Sequence, residues 1–171
     1  TPAEGGGIDA GHGSAVTGLI VAEQNNSVGV SGVAPGVKFI ACKGFNNGGS
    51  GGNSVLAEAI RYAANMADIM NNSWASDADL PSEAILDAID YAMTQGRGGL
   101  GCLPIWAAGN GEGDETAHYG SYPWTVGVSL LENSGIHDDL TSFDETVQIS
   151  APVGQWSTDA SGPIGFNNPE P

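Results

Sequence analysis

The chain has 171 residues, of which 40% are hydrophobic, and 20 acidic residues against four Lys and Arg give a formal charge of −16. This length suits one domain with a hydrophobic core of its own. The negative charge argues against nucleic acids and anionic membranes as partners, because both would be repelled. It is compatible with a cationic partner and with simple solubility. No apolar run reaches the length needed to cross a membrane.

The first third of the chain predicts a loop, a helix and a strand. Residues 1–10 are rich in glycine and predict a loop. The apolar run that follows His12 predicts a buried helix over residues 12–22, with His12 in its first turn. After a Pro-Gly turn, residues 37–42 (Val-Lys-Phe-Ile-Ala-Cys) have the length and flanks of a buried strand.

Helices and strands alternate through the rest of the chain. Apolar side chains recur at helical spacing in two segments, one beginning at residue 53 or 54 and one running from residue 81 to Gly96. Mostly apolar runs of strand length lie between and after these segments. The predicted strands are residues 67–74, 103–108, 125–131 and 146–151.

This alternation predicts an α/β fold class. Because each strand is nearly all apolar, we expect three layers, with a mostly parallel sheet covered by helices on both faces. Functional groups of such sheets collect at the carboxyl ends of the strands. Polar clusters fall there at residues 71–73 and 109–111, and in the loop before His12. Neither repeats nor a linker are found, so residues 1–171 are predicted to belong to one domain.

The two cysteines, Cys42 and Cys102, both stand in apolar surroundings. That setting predicts buried free thiols. A single disulfide between them stays open as the alternative.

His12 is the first candidate catalytic residue. It lies between two glycines, so no bulky neighbour blocks access to its imidazole. Such a histidine can act as a general base if a carboxylate orients it and a hydroxyl lies within reach. The alternative is a histidine beside a tight turn with no chemical role.

Four segments in the same order resemble the subtilisin-like serine proteases. Residues 11–18 (Gly-His-Gly-Ser-Ala-Val-Thr-Gly) resemble the histidine motif of that family, and residues 29–35 (Gly-Val-Ser-Gly-Val-Ala-Pro) resemble the segment after it. Residues 68–74 are similar to its substrate-binding strand, and residues 106–111 (Trp-Ala-Ala-Gly-Asn-Gly) to the turn with the oxyanion asparagine. Ser73-Trp74 and the glycine-rich stretch at 96–101 resemble the kexin and furin-like branch.

The resemblance implies a serine-type endopeptidase with a subtilisin-like fold. His12 would move the proton of the attacking serine, and Asn110 would donate its amide to the oxyanion. Ser73, Trp74 and Ala75 would pair with an extended peptide or protein substrate through main-chain bonds. For Asn110, a turn residue that tolerates left-handed geometry is the alternative.

Two further positions follow from the resemblance. Asp9 stands where furin-like enzymes place an acid facing the substrate side chain next to the cleaved residue, although a solvated loop aspartate would look the same. Asn26 lies in a segment similar to the calcium loop of the family, where an amide and backbone carbonyls supply the oxygens that calcium prefers. A plain polar turn is the alternative, and the other calcium ligands would come from a segment outside this sequence.

Two parts of the family's catalytic triad have no counterpart in these residues. We find neither the early-strand aspartate nor a Gly-Thr-Ser nucleophile motif, so we expect this chain to be the incomplete, central part of a secreted peptidase domain. By itself it is expected to be inactive. A noncatalytic module that keeps only the peptide-binding groove is the alternative function.

Overall fold

The structure is a computed structural model that describes residues 8–46, 51–76, 80–111, 117–136 and 141–158, with only the main chain of residues 8–10. The chain forms two compact units, residues 1–51 with 155–171 and residues 52–154. The elements in chain order are α1 (Ile8–Val21), α2 (Asn53–Ala64), β1 (Ile69–Asn72), α3 (Glu83–Thr94), α4 (Gly96–Gly99), β2 (Leu103–Ala107), β3 (Val126–Leu131) and β4 (Ile149–Pro152).

A four-stranded sheet forms the centre of the second unit. Its strands lie in the order β1-β2-β3-β4, and every neighbouring pair is parallel. Parallel neighbours need a crossover connection, and α3 supplies the one between β1 and β2. The α/β fold class predicted from the sequence is therefore confirmed, and the four strands predicted between residues 67 and 151 match β1 to β4 to within a few residues.

The core of this unit lies where α2 packs against α3 and β1, and α3 against β2. The apolar spacing predicted for both helices matches their buried faces. Alanines on these faces let the two helices approach closely, and the two buried isoleucines of α3 each contribute about 1.5–3 kcal/mol by burial. The buried residues are Leu56, Ala57, Ile60, Ala63 and Ala64 of α2, and Ile85, Ala88, Ile89 and Ala92 of α3.

α3 ends at Thr94 and is followed by a tight turn rather than by a new regular helix. Arg97 and Gly98 within α4 both have positive φ angles. The Arg97 guanidinium donates to the Gly101 carbonyl at 2.7 Å and also pairs with the Asp68 carboxylate. This side chain therefore ties the turn to the start of β1.

The two cysteines are both free, and their environments differ. Cys102 is 1% exposed, as predicted, and burial raises the pKa of its thiol even though nearby Arg97 acts in the opposite direction. Cys42 is exposed, so the prediction of a buried thiol is wrong for this residue. The reason is that the segment around it does not form the predicted strand.

Residues 37–42 contradict the prediction of a buried strand. Val37 is 54% exposed and Phe39 is 60% exposed, and the segment has no regular secondary structure. An apolar run becomes a strand only when a neighbour completes its hydrogen bonds, and the ladders of the described sheet contain none of these residues. Hydrophobic composition alone therefore does not establish that residues 37–42 form a strand.

The first helix begins earlier than predicted and is less buried. α1 starts at Ile8 and therefore includes glycines 11 and 13. Each glycine disfavours a helix by only about 1 kcal/mol relative to alanine, which does not prevent the helix from forming. His12 consequently lies in the second turn, and Leu19 and Ile20 are exposed rather than buried. The amide groups of Val33 and Ala34 donate to the carbonyls of Leu19 and Ile20 in the last turn of α1, and so complete its carboxyl end.

Residues 157 and 158 pack on α1 at Gly18, within the first unit. The Ser157 hydroxyl donates to the Ala15 carbonyl, and the Thr158 hydroxyl donates to the Ser14 carbonyl at 2.8 Å. A Cβ atom on Gly18 would lie 2.1 Å from Thr158 Oγ1 and 2.7 Å from Ser157 Oγ. Only glycine therefore permits this contact between segments about 140 residues apart.

We expect Gly18→Ala to lower the free energy of unfolding by about 1–3 kcal/mol, because the added methyl group must push residues 157 and 158 off the helix. Gly13→Ala is the matched control in the same helix, since a Cβ there meets nothing within 4 Å. That control should instead raise the free energy of unfolding by about 0.5–1 kcal/mol through helix propensity. Urea unfolding measures both; an equal gain in the two variants would contradict the packing described here.

Candidate active site

The carboxyl ends of β1 and β2 bring two of the predicted site segments to one edge of the sheet. Asn72, the last residue of β1, is paired with Trp106 of β2. Residues 73–75 follow β1 directly, and Asn110 follows β2 after two residues. Because the strands are parallel, the Ser73–Ala75 segment and the Asn110 turn leave the sheet on the same side. This is the place where α/β proteins bind their ligands.

Asn110 lies at the exposed tip of a turn between Gly109 and Gly111. Its side chain makes no hydrogen bond within the described part of the chain, so both amide hydrogens are available to a ligand. The non-glycine residues with positive φ in that part are Asn25, Ser27 and Arg97. Asn110 therefore does not adopt the left-handed geometry that a turn residue of the alternative interpretation would tolerate.

An aromatic cluster supports the Ser73–Ala75 segment from inside. Trp74 packs edge-on against Trp106 with ring centroids 4.6 Å apart, and against Tyr119 at 5.5 Å. The indole nitrogen of Trp106 donates to the Trp74 carbonyl at 2.8 Å. Trp106 and Tyr119 are each 1% exposed, whereas Ala75 is exposed. The cluster thus occupies the Trp74 carbonyl, whereas Ala75 lies exposed to solvent.

Two asparagine side chains at the end of β1 form hydrogen bonds that stabilise this end of the strand. Asn72 is buried and donates from Nδ2 to the Ile105 carbonyl at 3.3 Å, which reinforces the pairing of β1 with β2. Asn71 donates from Nδ2 to the Ser73 hydroxyl at 3.0 Å. The start of the candidate substrate strand is therefore fixed by side chains as well as by the ladder.

His12 and Asp9 lie in the first unit, both on α1, whereas Asn110 and Ser73–Ala75 lie in the second. The His12 imidazole is exposed and has no hydrogen-bond partner within the described residues. The side chain of Asp9 lies outside the described part of the structure. The structure therefore brings Asn110 together with Ser73–Ala75 at one sheet edge and places the candidate base on an accessible helix face of the other unit.

The candidate calcium residue lies in an exposed loop after α1. Asn26 Oδ1 accepts a hydrogen bond from the Val28 amide at 3.0 Å, which leaves this oxygen a second lone pair. Among the described residues, no cluster of three His, Cys, Asp or Glu side chains is placed to hold a metal ion. The oxygens this loop offers include the Asn26 amide oxygen and main-chain carbonyls. Such donors suit calcium, provided that further ligands join them.

Two further residues shape this edge of the sheet and could not be predicted from the sequence. Tyr119 packs in the aromatic cluster, and its hydroxyl accepts the Ser82 amide at 3.0 Å. Ser142 contacts both glycines that flank Asn110. Neither residue stands in a motif, and their hydrogen bonds to Ser82 and Gly111 span 37 and 31 residues of sequence, so no local pattern could have revealed these contacts.

Both the sequence and the fold of this chain match those of known proteins. The family model described as the Subtilase family matches residues 3–168. A calcium-dependent protease of Nostoc sp. is 33% identical over 183 aligned residues, covering 92% of this chain and 27% of that protein. Subtilisin NAT of Bacillus subtilis subsp. natto is 32% identical, with coverage of 92% and 41%. The solved structure of sphericase has a TM-score of 0.74 at 30% identity, covering 86% of this chain and 54% of that one.

The second unit belongs to the class of α/β structures that carry candidate site residues at the carboxyl edge of a parallel sheet. Within that class, the chain belongs to the subtilase family of peptidases, since the family model matches nearly its whole length. It spans about a quarter to a half of the length of the relatives described above. Within the described residues, none of the helices is both long and apolar enough to pass through a bilayer.

Proposed function

We propose that the protein containing this chain is a secreted serine endopeptidase that cleaves peptide or protein substrates. Asn110 carries the proposal, because its amide is exposed, unpaired within the described residues and adjacent to the Ser73–Ala75 segment at one sheet edge. Support for secretion comes from a relative named minor extracellular protease Epr of Bacillus subtilis, which is 32% identical over 146 aligned residues.

In the proposed mechanism, the main chain at Ser73 and Ala75 pairs with an extended substrate. His12 takes the proton from a serine hydroxyl as that oxygen attacks the scissile carbonyl, and then returns it to the leaving amine. Asn110 donates a hydrogen bond to the carbonyl oxygen, on which negative charge develops in the transition state. Asp9 faces the substrate side chain next to the cleaved residue. The serine and the aspartate that orients His12 are assigned to sequence outside these 171 residues.

We propose that both compact units are parts of one peptidase domain. The family match runs without interruption through residues of each unit, which supports a shared domain. Residues 1–171 would then form its central part, without the nucleophile. The 171-residue chain by itself is accordingly expected to be inactive.

A fluorophosphonate probe tests the proposed function in the full-length protein. Such a probe reacts only with a serine that a neighbouring base has activated. We expect covalent labelling and hydrolysis of a casein substrate, and no labelling of the isolated 171-residue chain. A full-length protein that binds peptide but neither reacts with the probe nor hydrolyses casein would contradict the proposal and support the noncatalytic peptide-binding module instead.

We also propose that the protein belongs to the kexin and furin-like branch of the family. This assignment is supported by the resemblance of Ser73-Trp74 and of the glycine-rich stretch at 96–101 to that branch. The relatives reported above are bacterial proteases, and their similarity supports the family rather than this branch. A cleavage-specificity profile of the full-length protein would decide, because furin-like enzymes select basic residues.

Calcium is the proposed structural cofactor, with Asn26 as one ligand. The Nostoc relative is named as calcium-dependent, and the oxygens of the Asn26 loop have the chemistry that calcium requires. When bound, the ion would stabilise the folded loop without taking part in the reaction.

Asn26→Ala is expected to reduce the stabilisation that calcium gives. A ligand that binds only the folded state raises stability with its concentration, by about 2.7 kcal/mol at a hundred times its dissociation constant. The thermal midpoint of the full-length protein should therefore rise more on adding calcium chloride in the wild type than in Asn26→Ala. An equal rise in both proteins would contradict a calcium role for Asn26, and magnesium chloride serves as the control salt.

A further inference from the structure

Ser142 holds the turn that carries Asn110 from both sides. Its hydroxyl accepts the Gly111 amide at 3.1 Å and donates to the Gly111 carbonyl, also at 3.1 Å. Its own amide donates to the Gly109 carbonyl at 3.1 Å. Three hydrogen bonds from a single residue, which is itself 3% exposed, therefore fix the peptide groups on either side of Asn110.

The glycines flanking Asn110 make this support necessary. Glycine has more backbone freedom than any other residue, so a turn with glycine on both sides does not hold its own shape. Gly109 has a φ angle of +114°, and a Cβ atom there would lie 3.1 Å from the Ser142 hydroxyl oxygen. Because the Asn110 side chain has no partner of its own in the described structure, its direction depends on the main chain that Ser142 holds.

Ser142 is in turn anchored to the sheet. The Thr141 hydroxyl accepts the Leu130 amide at 3.1 Å and donates to the Ser142 carbonyl at 3.2 Å. Thr141 is 1% exposed, and Leu130 belongs to β3. A continuous set of hydrogen bonds therefore connects a central strand to the Asn110 turn, and rigid support of this kind keeps a catalytic donor within the narrow range that productive geometry allows.

We propose that Ser142 is a positioning residue, which acts through the Gly109–Gly111 main chain to aim the Asn110 amide at the oxyanion. This inference rests on the proposed endopeptidase function. Ser142 would touch no substrate. Its effect on the reaction would pass entirely through Asn110.

A double-mutant cycle in the full-length protein tests the inference. Ser142→Ala is expected to lower kcat about tenfold with little change in KM, because only the transition state uses the oxyanion donor. In an Asn110→Ala background, the same substitution should change kcat by less than about twofold, since residues that act as a unit are non-additive. Ser129→Ala is the matched control: Ser129 is also fully buried and its hydroxyl bonds that of Ser150 at 2.6 Å, but it contacts neither glycine.

The outcomes separate this inference from the proposed function. A tenfold loss that persists undiminished in the Asn110→Ala background, or an equal loss of kcat in Ser129→Ala, would overturn the positioning role. If Asn110→Ala lowers kcat while Ser142→Ala does not, the inference fails and the proposed function stands. If Asn110→Ala itself has no effect on kcat, the oxyanion role of Asn110 in the proposed function fails.

Hydrogen exchange in the unmodified protein supplies a test that needs no variant to fold. A Gly111 amide bonded to a buried hydroxyl should exchange at least about tenfold more slowly than an unprotected glycine amide. Exchange of Gly111 at the unprotected rate would show that Ser142 does not hold the turn, and would overturn the inference.

Discussion

Replacing His12 with alanine is expected to lower the kcat of the full-length protein by about 10⁴-fold or more, the scale of loss when a serine protease loses a working member of its triad. The reason is that no other group would remove the serine proton during attack on the scissile carbonyl. Stability should not fall, because the imidazole is exposed and unpaired within the described residues, and alanine favours a helix by a few tenths of a kcal/mol. Peptide turnover and thermal unfolding measured side by side check both expectations.

His12→Gln provides the size-matched control for this experiment. Glutamine preserves a polar side chain of similar length and hydrogen-bonds well, but it cannot accept a proton at neutral pH. Both variants should therefore lose activity equally while remaining folded. Retention of more than about a tenth of the wild-type kcat by either one would show that His12 is not the general base.

Replacing Asn110 with alanine is expected to lower kcat by about 10²–10³-fold with KM nearly unchanged. That magnitude is the one known for removing the corresponding oxyanion donor of subtilisin, a relative of this chain, and it equals about 2.7–4 kcal/mol of barrier. Because Asn110 does not have a positive φ angle, alanine fits the same backbone without strain. The loss would therefore report the missing amide rather than a distorted turn.

Asn110→Asp sharpens this test. Aspartate has nearly the same shape as asparagine, but its carboxylate cannot donate a hydrogen bond and would repel the developing oxyanion. We expect a loss of kcat at least as large as that of Asn110→Ala. Full activity in Asn110→Asp would show that the Asn110 amide has no role in the reaction, and a change confined to KM would show that Asn110 contributes to substrate binding alone.

The family, the fold class and the main helices could be predicted from sequence because their signals are local or repeat at short range. The buried faces of α2 and α3 follow from apolar spacing within a dozen residues. The turn at Asn110 and the strand before it could be recognised from six consecutive residues. These features depend on interactions between neighbours in the chain.

Other features were decided by tertiary structure alone. Residues 37–42 have a strand-like composition, yet they pair with none of the strands in the described sheet and are largely exposed, since a strand requires a partner that composition does not specify. Ser142 reaches Gly111 across 31 residues, and Trp106 reaches the Trp74 carbonyl across 32. The sequence thus predicted the candidate site residues, whereas folding decided what holds Asn110 and Trp74 in place, because hydrogen bonds between distant segments leave no pattern in either segment.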